Sequence, residues 1–297
     1  MPARALAAIF SILALLCTGA QAADGRLDPV NPRDGIQIAR KVACSTRDGA
    51  PVVYWWSGKA YARRQGEPDR HLFNVEGMNI RACGAVEDPV RGKGYKLVSR
   101  EILLYKDKDS DEVLKHWVNP WTGETVEVLH VANDPVNFTA FEKSASGEAS
   151  PWSGEVLGDL WWSRATIPLW YPNPLGGAFQ GEIGGAYHAA ELFNFFGATE
   201  DLLNAKTASA KVSVGWSRIA DWLPWMKMNG REGVMYMHTA GRKLDRFEDL
   251  SPTMKQEIAL HYPEYAEPPS LSDARRNVTS WSYYKAVKDG TATAPKR

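Results

Sequence analysis

Residues 52–62 read VVYWWSGKAYA and are rich in β-branched and aromatic side chains. Such residues favour β-strands, because their side chains pack well on a pleated surface. The dipeptide Asp48-Gly49 before this segment is typical of a tight turn. Residues 36–43 alternate between apolar and polar side chains. The pattern therefore predicts a β-hairpin formed by residues 36–43 and 52–62.

Alternating or β-branched segments continue along most of the chain. Further strands are predicted at residues 71–81, 94–106, 112–118, 124–131, 155–170, 187–196, 211–219 and 234–239. The turn-forming residues 119–123 predict a second hairpin between two of them. Helix is predicted at residues 252–261, where Ser251 suits the N-cap and Pro252 the first helical position. A shorter helix is predicted at residues 220–228.

About ten antiparallel strands joined mostly by short turns predict a mainly β fold. We expect an antiparallel meander closed into a barrel-like or strongly curved sheet, with one or two short helices near the C-terminus. Closure would remove the exposed edges that such a chain would otherwise have to protect. By analogy this fold would be lipocalin-like or calycin-like, and a two-sheet sandwich is the competing architecture.

Residues 1–22 have the three parts of a cleaved secretory signal peptide. Arg4 gives a charged start, residues 5–17 are almost wholly apolar, and Ala20 and Ala22 provide a small-residue cleavage site. The apolar run is about a dozen residues, whereas a bilayer span needs roughly 20. The sequence therefore predicts export, to the periplasm or out of the cell.

Cleavage would leave residues 23–297, which we expect to form a single β-rich domain. An anchoring helix and a lipoprotein that begins at Cys17 are the alternatives. Export would place Cys44 and Cys83 in an oxidising compartment, where a disulfide between them could contribute about 3–4 kcal/mol. Two buried free thiols are the alternative interpretation.

The composition limits the kinds of partner and cofactor. Without Arg4 the mature chain would carry 34 Lys and Arg against 35 Asp and Glu, a balance that argues against a nucleic-acid partner. No later segment is long and apolar enough to span a membrane. The sequence has no G-x-S-x-G, P-loop, dinucleotide fingerprint or H-E-x-x-H motif, and no cysteine spacing typical of a metal site. No cofactor or metal is therefore predicted.

His130 is the candidate catalytic residue. The even positions of the second predicted hairpin are the more apolar ones, so His116 and His130 should point inward. His130 is followed closely by Asp134, a carboxylate that could orient the imidazole for proton transfer. Arg218 would then stabilise developing negative charge. A core histidine next to ordinary Asn-Asp-Pro turn chemistry is the alternative.

Two charged residues fall on apolar strand faces. Glu191 shares a face with Phe193, and Arg218 shares one with Trp216. Burial of either charge alone would cost several kcal/mol, so we expect Glu191 to pair with Arg218. The pair could be a structural ion pair, or it could bind or polarise a polar ligand.

The chain contains 12 Trp and 11 Tyr residues. Their rings could line a pocket for a flat apolar compound, or they could fill the core. The candidate ligand-binding residues are Tyr54, Trp56, Trp121, Trp162, Tyr187, Glu191, Trp216 and His238.

Six blocks of the sequence carry a family resemblance. They are residues 53–58 (VYWWSG), 119–124 (NPWTGE), 130–137 (HVANDPVN), 216–218 (WSR), 222–226 (WLPWM) and 279–281 (TSW). These blocks resemble a family of exported proteins catalogued as domain of unknown function 1838. The resemblance extends over roughly residues 29–285 and implies export, but it implies no particular activity or catalytic residue.

These features predict an exported protein that binds a small, partly apolar organic molecule, for example an aromatic one. The alternative is a cofactor-independent lyase, isomerase or hydrolase. In that enzyme His130 and Asp134 would form the acid–base pair and Arg218 would stabilise negative charge. A structural or interaction role in the cell envelope is the third interpretation.

Overall fold

The computed structural model describes residues 25–172, 175 and 185–295. The predicted signal peptide, residues 1–22, lies outside the described residues. Within them, no helix combines the length and the apolar character that crossing a bilayer requires.

The described residues form mostly β-strands. The strands are β1 (Val52–Arg63), β2 (Arg70–Asp88), β3 (Gly92–Lys106), β4 (His116–Val118), β5 (Thr125–Glu127), β6 (Val131–Asn133), β7 (Phe138–Phe141), β8 (Glu155–Leu157), β9 (Leu160–Tyr171), β10 (Tyr187–Ala198), β11 (Ser213–Ala220) and β12 (Val234–Leu244). The α-helices are α1 (Pro32–Ala43), α2 (Thr199–Leu203), α3 (Pro252–His261) and α4 (Ser280–Lys288). Short 3-10 helices cover Pro224–Met226, Phe247–Asp249 and Pro263–Ala266.

Ten strands form one antiparallel sheet in the order β6-β3-β2-β1-β12-β11-β10-β9-β8, and β7 also pairs with β3. Strands β4 and β5 form a separate two-stranded sheet. The path of the large sheet ends at β6 and at β8, and no strand pairing among the described residues joins these ends. The antiparallel, mainly β class is confirmed. The prediction of a barrel or a strongly curved, lipocalin-like sheet is wrong, because the sheet is open.

The terminal strands of the open sheet cover only part of their neighbours. The edge strands β6 and β8 contain 3 residues each. Strand β8 pairs with residues 160–162 of β9, so residues 163–171 of β9 pair only with β10 among the described residues. The sheet therefore keeps an open edge of the kind that closure into a barrel would have removed.

Residues 32–43 form helix α1, so the predicted first hairpin is wrong. The Asn31 side chain accepts a hydrogen bond from the N–H of Arg33, and Pro32 lies in the first turn. Both features favour a helix start. Ile38 and Val42, four positions apart, are buried on one face of this helix. Strand β1 pairs instead with β2 and β12.

The second predicted hairpin is present with a changed register. Val118 pairs with Thr125, one position away from the predicted partner. A shift of one residue moves side chains to the opposite face of a strand. Trp117 is accordingly buried and His116 is exposed. The prediction that His116 points inward is therefore wrong.

The C-terminal part is more helical than predicted. Helix α3 is confirmed, and Ser251 caps it by accepting a hydrogen bond from the N–H of Met254. In place of the shorter predicted helix, the 3-10 helix Pro224–Met226 forms a single turn. Helix α4, capped by Thr279, was not predicted. It lies close enough to the large sheet for its first residues to reach the cavity described below.

Cys44 and Cys83 form a disulfide, with 5.9 Å between their Cα atoms. This pairing confirms the predicted bridge. The bond joins the C-terminal end of α1 to β2, the strand that supplies part of the candidate site.

Candidate functional site

A cavity of about 230 Å3 lies on one face of the large sheet. Residues of β1, β2, β3, β6, β7, β9, β10 and β11 line it, together with the first residue of α4. Its rings belong to Tyr54, Trp56, Phe138, Phe193, Phe195 and Trp216, and its polar residues are Asn79, Arg81, Ser99, Glu101, Glu191, Arg218 and Ser280. Sites for drug-sized ligands occupy roughly 300–1,000 Å3. This cavity therefore suits a smaller compound.

The predicted ion pair between Glu191 and Arg218 is present in this cavity. The two residues are direct neighbours across β10 and β11. Arg218 Nη1 donates a hydrogen bond to Glu191 Oε1 at 2.5 Å, and Arg218 Nη2 donates to the Tyr187 hydroxyl at 3.3 Å. The side chains of Arg218 and Glu191 are only 14% and 19% exposed. Burial lowers the pKa of Arg218, but Tyr187 and Glu191 outweigh it and raise the pKa, so the guanidinium remains charged.

Glu101 of β3 supplies a second carboxyl group to the cavity. Burial raises the pKa of Glu101 to about 7, and the Glu191 carboxylate contributes in the same direction. Arg81, Arg218 and a hydrogen bond with Asn79 oppose this shift. At neutral pH the carboxyl group can therefore either donate or accept a proton, as an acid–base group requires.

Arg81 is held in place by neutral groups. Its Nε donates to Asn79 Oδ1 at 2.7 Å, and its Nη1 donates to the Ala43 carbonyl at 3.5 Å. Its guanidinium lies 4.7 Å from the centroid of the Tyr54 ring. The Tyr54 hydroxyl in turn donates to the carbonyl of Val42 at 2.5 Å. The C-terminal end of α1 thus positions this polar end of the cavity.

The position of Trp56 depends on a glycine beside it. Gly77 is the cross-strand partner of Trp56 on β2. The indole covers Gly77 so closely that a Cβ atom there would overlap the ring. The Trp56 ring also meets the Trp216 ring edge-on, with 6.2 Å between the centroids. The missing side chain at Gly77 therefore provides the space for one aromatic wall of the cavity.

Three N–H donors of the cavity residues are buried and have no hydrogen-bond partner among the described residues. They are Nε1 of Trp56, Nε1 of Trp216 and Nε of Arg218. Buried donors in folded proteins are nearly always paired, and an unpaired one costs about 1–3 kcal/mol. Their nitrogen atoms are almost fully covered by protein, so they are unsatisfied donors behind the cavity wall.

Half of the predicted ligand-binding residues line this cavity. They are Tyr54, Trp56, Glu191 and Trp216. Tyr187 is fully buried and reaches the cavity indirectly, through its hydrogen bond with Arg218. The structure therefore brings together the aromatic residues and the ion pair that the sequence placed on the same strand faces.

The remaining predicted ligand-binding residues lie elsewhere. Trp121 donates to a Glu67 carboxylate oxygen at 3.1 Å. Trp162 donates to Glu155 at 3.2 Å on the edge of the sheet. His238 is exposed and lines a separate groove on the opposite face of the sheet. The structure does not bring these three residues to the cavity.

His130 is buried, as predicted, and both of its ring nitrogens have backbone partners. Its Nδ1 accepts from the N–H of Tyr105 and its Nε2 donates to the carbonyl of Leu114, each at 3.0 Å. Asp134, its proposed orienting partner, forms ion pairs with Arg100 at 3.1 Å and with Arg275 at 2.7 Å. This arrangement is that of a histidine that completes backbone hydrogen bonds, which was the alternative to the catalytic interpretation.

His130 and Arg218 do meet at a second, much smaller cavity of about 20 Å3. A space of that size holds about one water molecule. It is too small for an organic substrate. The larger cavity is therefore the candidate site. Of the three predicted catalytic residues, Arg218 lines it, and His130 and Asp134 do not.

Sequence analysis missed Asn79, Arg81 and Glu101. Glu191 was identified as a charged residue on an apolar strand face. The same rule identifies Glu101, because Glu101 shares one face of an apolar strand with Leu97 and Leu103. A charged residue on such a face was therefore the available signal.

No group of three or more His, Cys, Asp or Glu residues in the described part of the chain is arranged to hold a metal ion. The side chains described above could instead hold an organic compound. Rings can cover its apolar surface, and charged groups can bind its polar end.

The fold and the cavity define a protein with an open antiparallel sheet that carries an aromatic-lined pocket with a buried ion pair. The family model described as "Protein of unknown function (DUF1838)" matches residues 49–288. The chain belongs to this family, which confirms the resemblance noted in the sequence. The matched region contains every strand of the sheet and all residues that line the cavity. No curated protein matches the chain.

Proposed function

We propose that the protein binds a small, flat, partly apolar organic molecule in the 230 Å3 cavity. The observation that carries this proposal is the convergence of aromatic rings and a buried ion pair on one pocket. Rings supply contact area for a flat ligand, while a few fixed polar groups set its orientation. In this proposal Trp56, Phe193 and Trp216 contact the rings of the ligand, and Glu191 and Arg218 bind its polar end.

The cavity opens to solvent beside Phe138 and Ile167, which are 47% and 42% exposed. A ligand can therefore enter it from outside. Its wall carries Arg81, Glu101 and Arg218, and the burial of such charged groups costs free energy. Costly polar groups in the wall of an accessible pocket support a binding role.

We further propose that the protein acts outside the cytoplasm. Residues 1–22 have the pattern of a cleaved signal peptide. The disulfide between Cys44 and Cys83 supports the same location, because such bonds persist mainly in oxidising compartments.

Isothermal titration of the purified chain with a panel of small naphthalene and indole compounds tests the binding proposal. Ile167 lines the cavity and is 42% exposed, so Ile167→Trp should fill the space without disturbing the core. Thr166→Trp is the matched control, because the neighbouring side chain points to the opposite face. We expect Ile167→Trp to weaken binding by about tenfold or more and Thr166→Trp to leave it unchanged. Equal binding by both variants, or no binding by the natural chain, would contradict the proposal.

A cofactor-independent proton-transfer enzyme is the second candidate. The observation that favours it is Glu101, whose pKa of about 7 suits a general acid or base at neutral pH. Arg218 would stabilise negative charge on the substrate, as the sequence analysis proposed. If the protein is such an enzyme, Glu101→Gln should abolish conversion of the bound compound. The affinity of the variant for that compound should stay within about threefold of the affinity of the natural chain.

A further inference from the structure

Two exposed apolar side chains lie at the opening of the cavity. They are Phe138 of β7 and Ile167 of β9, and both line the cavity. Single exposed apolar residues are common on protein surfaces and need no explanation. These two differ from such residues because they come from strands far apart in the sheet and border the same opening. We call Phe138 and Ile167 the rim of the cavity.

The walls become more buried from the rim inward. Ile167 is the cross-strand neighbour of Glu191, and Glu191 is the neighbour of Arg218. Ile167 is exposed, whereas the side chains of Glu191 and Arg218 are largely buried. On the other wall Phe138 is the cross-strand neighbour of Leu97, which is fully buried. Each wall therefore leads from an exposed apolar residue at the rim to buried residues inside.

The distance from the ion pair to the rim is short. Neighbouring strands lie about 4.7–4.9 Å apart, so the backbone of Ile167 is roughly 5 Å from that of Glu191 and roughly 10 Å from that of Arg218. The cavity volume of about 230 Å3 is also below the usual range for ligand sites. A ligand whose polar end binds Glu191 and Arg218 would therefore reach the rim unless it is very small. The part that extends further would leave the cavity between Phe138 and Ile167.

We propose that the ligand of the cavity is an amphiphile, with a flat polar head and one apolar chain that leaves the cavity across Phe138 and Ile167. The head would bind Glu191 and Arg218, and the chain would cover the two rim side chains. Removal of apolar surface from water is favourable in proportion to its area, so contact between the chain and the rim would strengthen binding. This inference rests on the proposed binding function and adds the chemical class of the ligand.

The test compares 4-ethylphenol, 4-butylphenol and 4-hexylphenol by isothermal titration of the purified full chain. A fully buried methylene group is worth about fourfold in affinity. A chain on an open rim is only partly buried, so we expect the affinity to rise by about twofold or more for each added methylene. Binding of the phenols with no dependence on chain length would overturn the inference and leave the binding function intact. Failure of all the phenols to bind would overturn the binding function itself.

Two variants of the rim show where the chain lies. Phe138→Ser and Ile167→Ser each remove one apolar side chain, and the measured quantity is the affinity of 4-hexylphenol divided by that of 4-ethylphenol in the same protein. We expect each variant to lower this ratio by about threefold or more. Leu260→Ser is the matched control and should keep the natural ratio, because Leu260 is an exposed apolar residue of α3 that does not line the cavity. The natural ratio in both rim variants, with native circular dichroism spectra, would show that the chain does not cross the rim and would overturn the inference.

Discussion

Glu191 and Arg218 face each other across β10 and β11, with 2.5 Å between Oε1 and Nη1. Both side chains are largely buried, and both line the aromatic cavity. The pair therefore has two consequences. It affects the stability of the sheet, and it fixes the charge that a ligand meets in the cavity.

Removal of one partner of this pair should strongly destabilise the protein. Glu191→Leu leaves the Arg218 guanidinium buried without its carboxylate, so we expect the free energy of unfolding to fall by about 3–5 kcal/mol. The exposed pair of Glu155 and Arg164 is the control, since its side chains are 53% and 64% exposed. Glu155→Leu should cost at most about 1 kcal/mol. Urea unfolding measures both values.

The double variant Glu191→Leu/Arg218→Met shows whether the stability lost by Glu191→Leu comes from the unpaired charge of Arg218 or from the lost ion-pair contact. It removes both charges, so we expect it to recover most of the stability that Glu191→Leu loses. Equal stability of the single variant, the double variant and the natural chain would contradict a buried, energetically coupled pair.

Stability should depend on pH through Glu101. Its folded-state pKa of about 7 lies above the ordinary value of 4.5, so the folded state binds this proton more tightly than the unfolded state. The resulting stabilisation is complete below pH 4.5 and is lost as the pH rises to about 7. The loss should amount to at most about 3 kcal/mol. Urea unfolding between pH 4.5 and pH 8 measures it.

The Glu101→Gln variant should not lose stability in this way, because glutamine does not titrate. We therefore expect its stability relative to the natural chain to increase from pH 4.5 to pH 8. Glu112→Gln, at an exposed position, controls for general charge effects. Parallel pH curves for the natural chain and Glu101→Gln would show that Glu101 has no raised pKa.

The strand faces could be predicted from the sequence, but the closure of the sheet could not. The two-residue period assigns Glu191 and Arg218 to apolar faces regardless of how strands are ordered. The requirement that buried charges be paired then connects them. Alternation is the same in open and closed sheets, so it contains no information on whether β6 and β8 meet. The open edge along residues 163–171 of β9 is visible only in the structure.

Local competition explains the other errors. Residues 36–43 alternate, but the cap at Asn31 and Pro32 favours a helix, and the helix also buries Ile38 and Val42 on one face. The prediction for His116 failed because a register shift of one residue reverses a strand face. Helix α4 was not predicted, although Thr279 and Ser282 form a capping box at its start.

Gly77 should be intolerant of a side chain because the Trp56 indole covers it. Gly77→Ala forces the ring to move, and overpacking of this kind costs about 1–3 kcal/mol. We also expect a changed tryptophan fluorescence spectrum and weaker ligand binding. Gly215→Ala is the matched control, since it also lies in a strand and the nearest atom to a new Cβ would be 4.0 Å away. That variant should be neutral or slightly stabilised. Equal effects of the two substitutions would contradict the packing of Trp56 over Gly77.

His130→Ala distinguishes a structural histidine from a catalytic one. The imidazole joins the N–H of Tyr105 to the carbonyl of Leu114, so its removal leaves two buried backbone groups unpaired and creates a void. We expect the free energy of unfolding to fall by about 2–5 kcal/mol.

Protein that remains folded at low temperature should bind aromatic ligands with unchanged affinity, because His130 does not line the larger cavity. His116→Ala, at an exposed position, is the control and should change stability by less than about 0.5 kcal/mol. If His130→Ala instead kept full stability and lost turnover of a bound compound, the imidazole would be catalytic and its backbone hydrogen bonds would serve only to orient it.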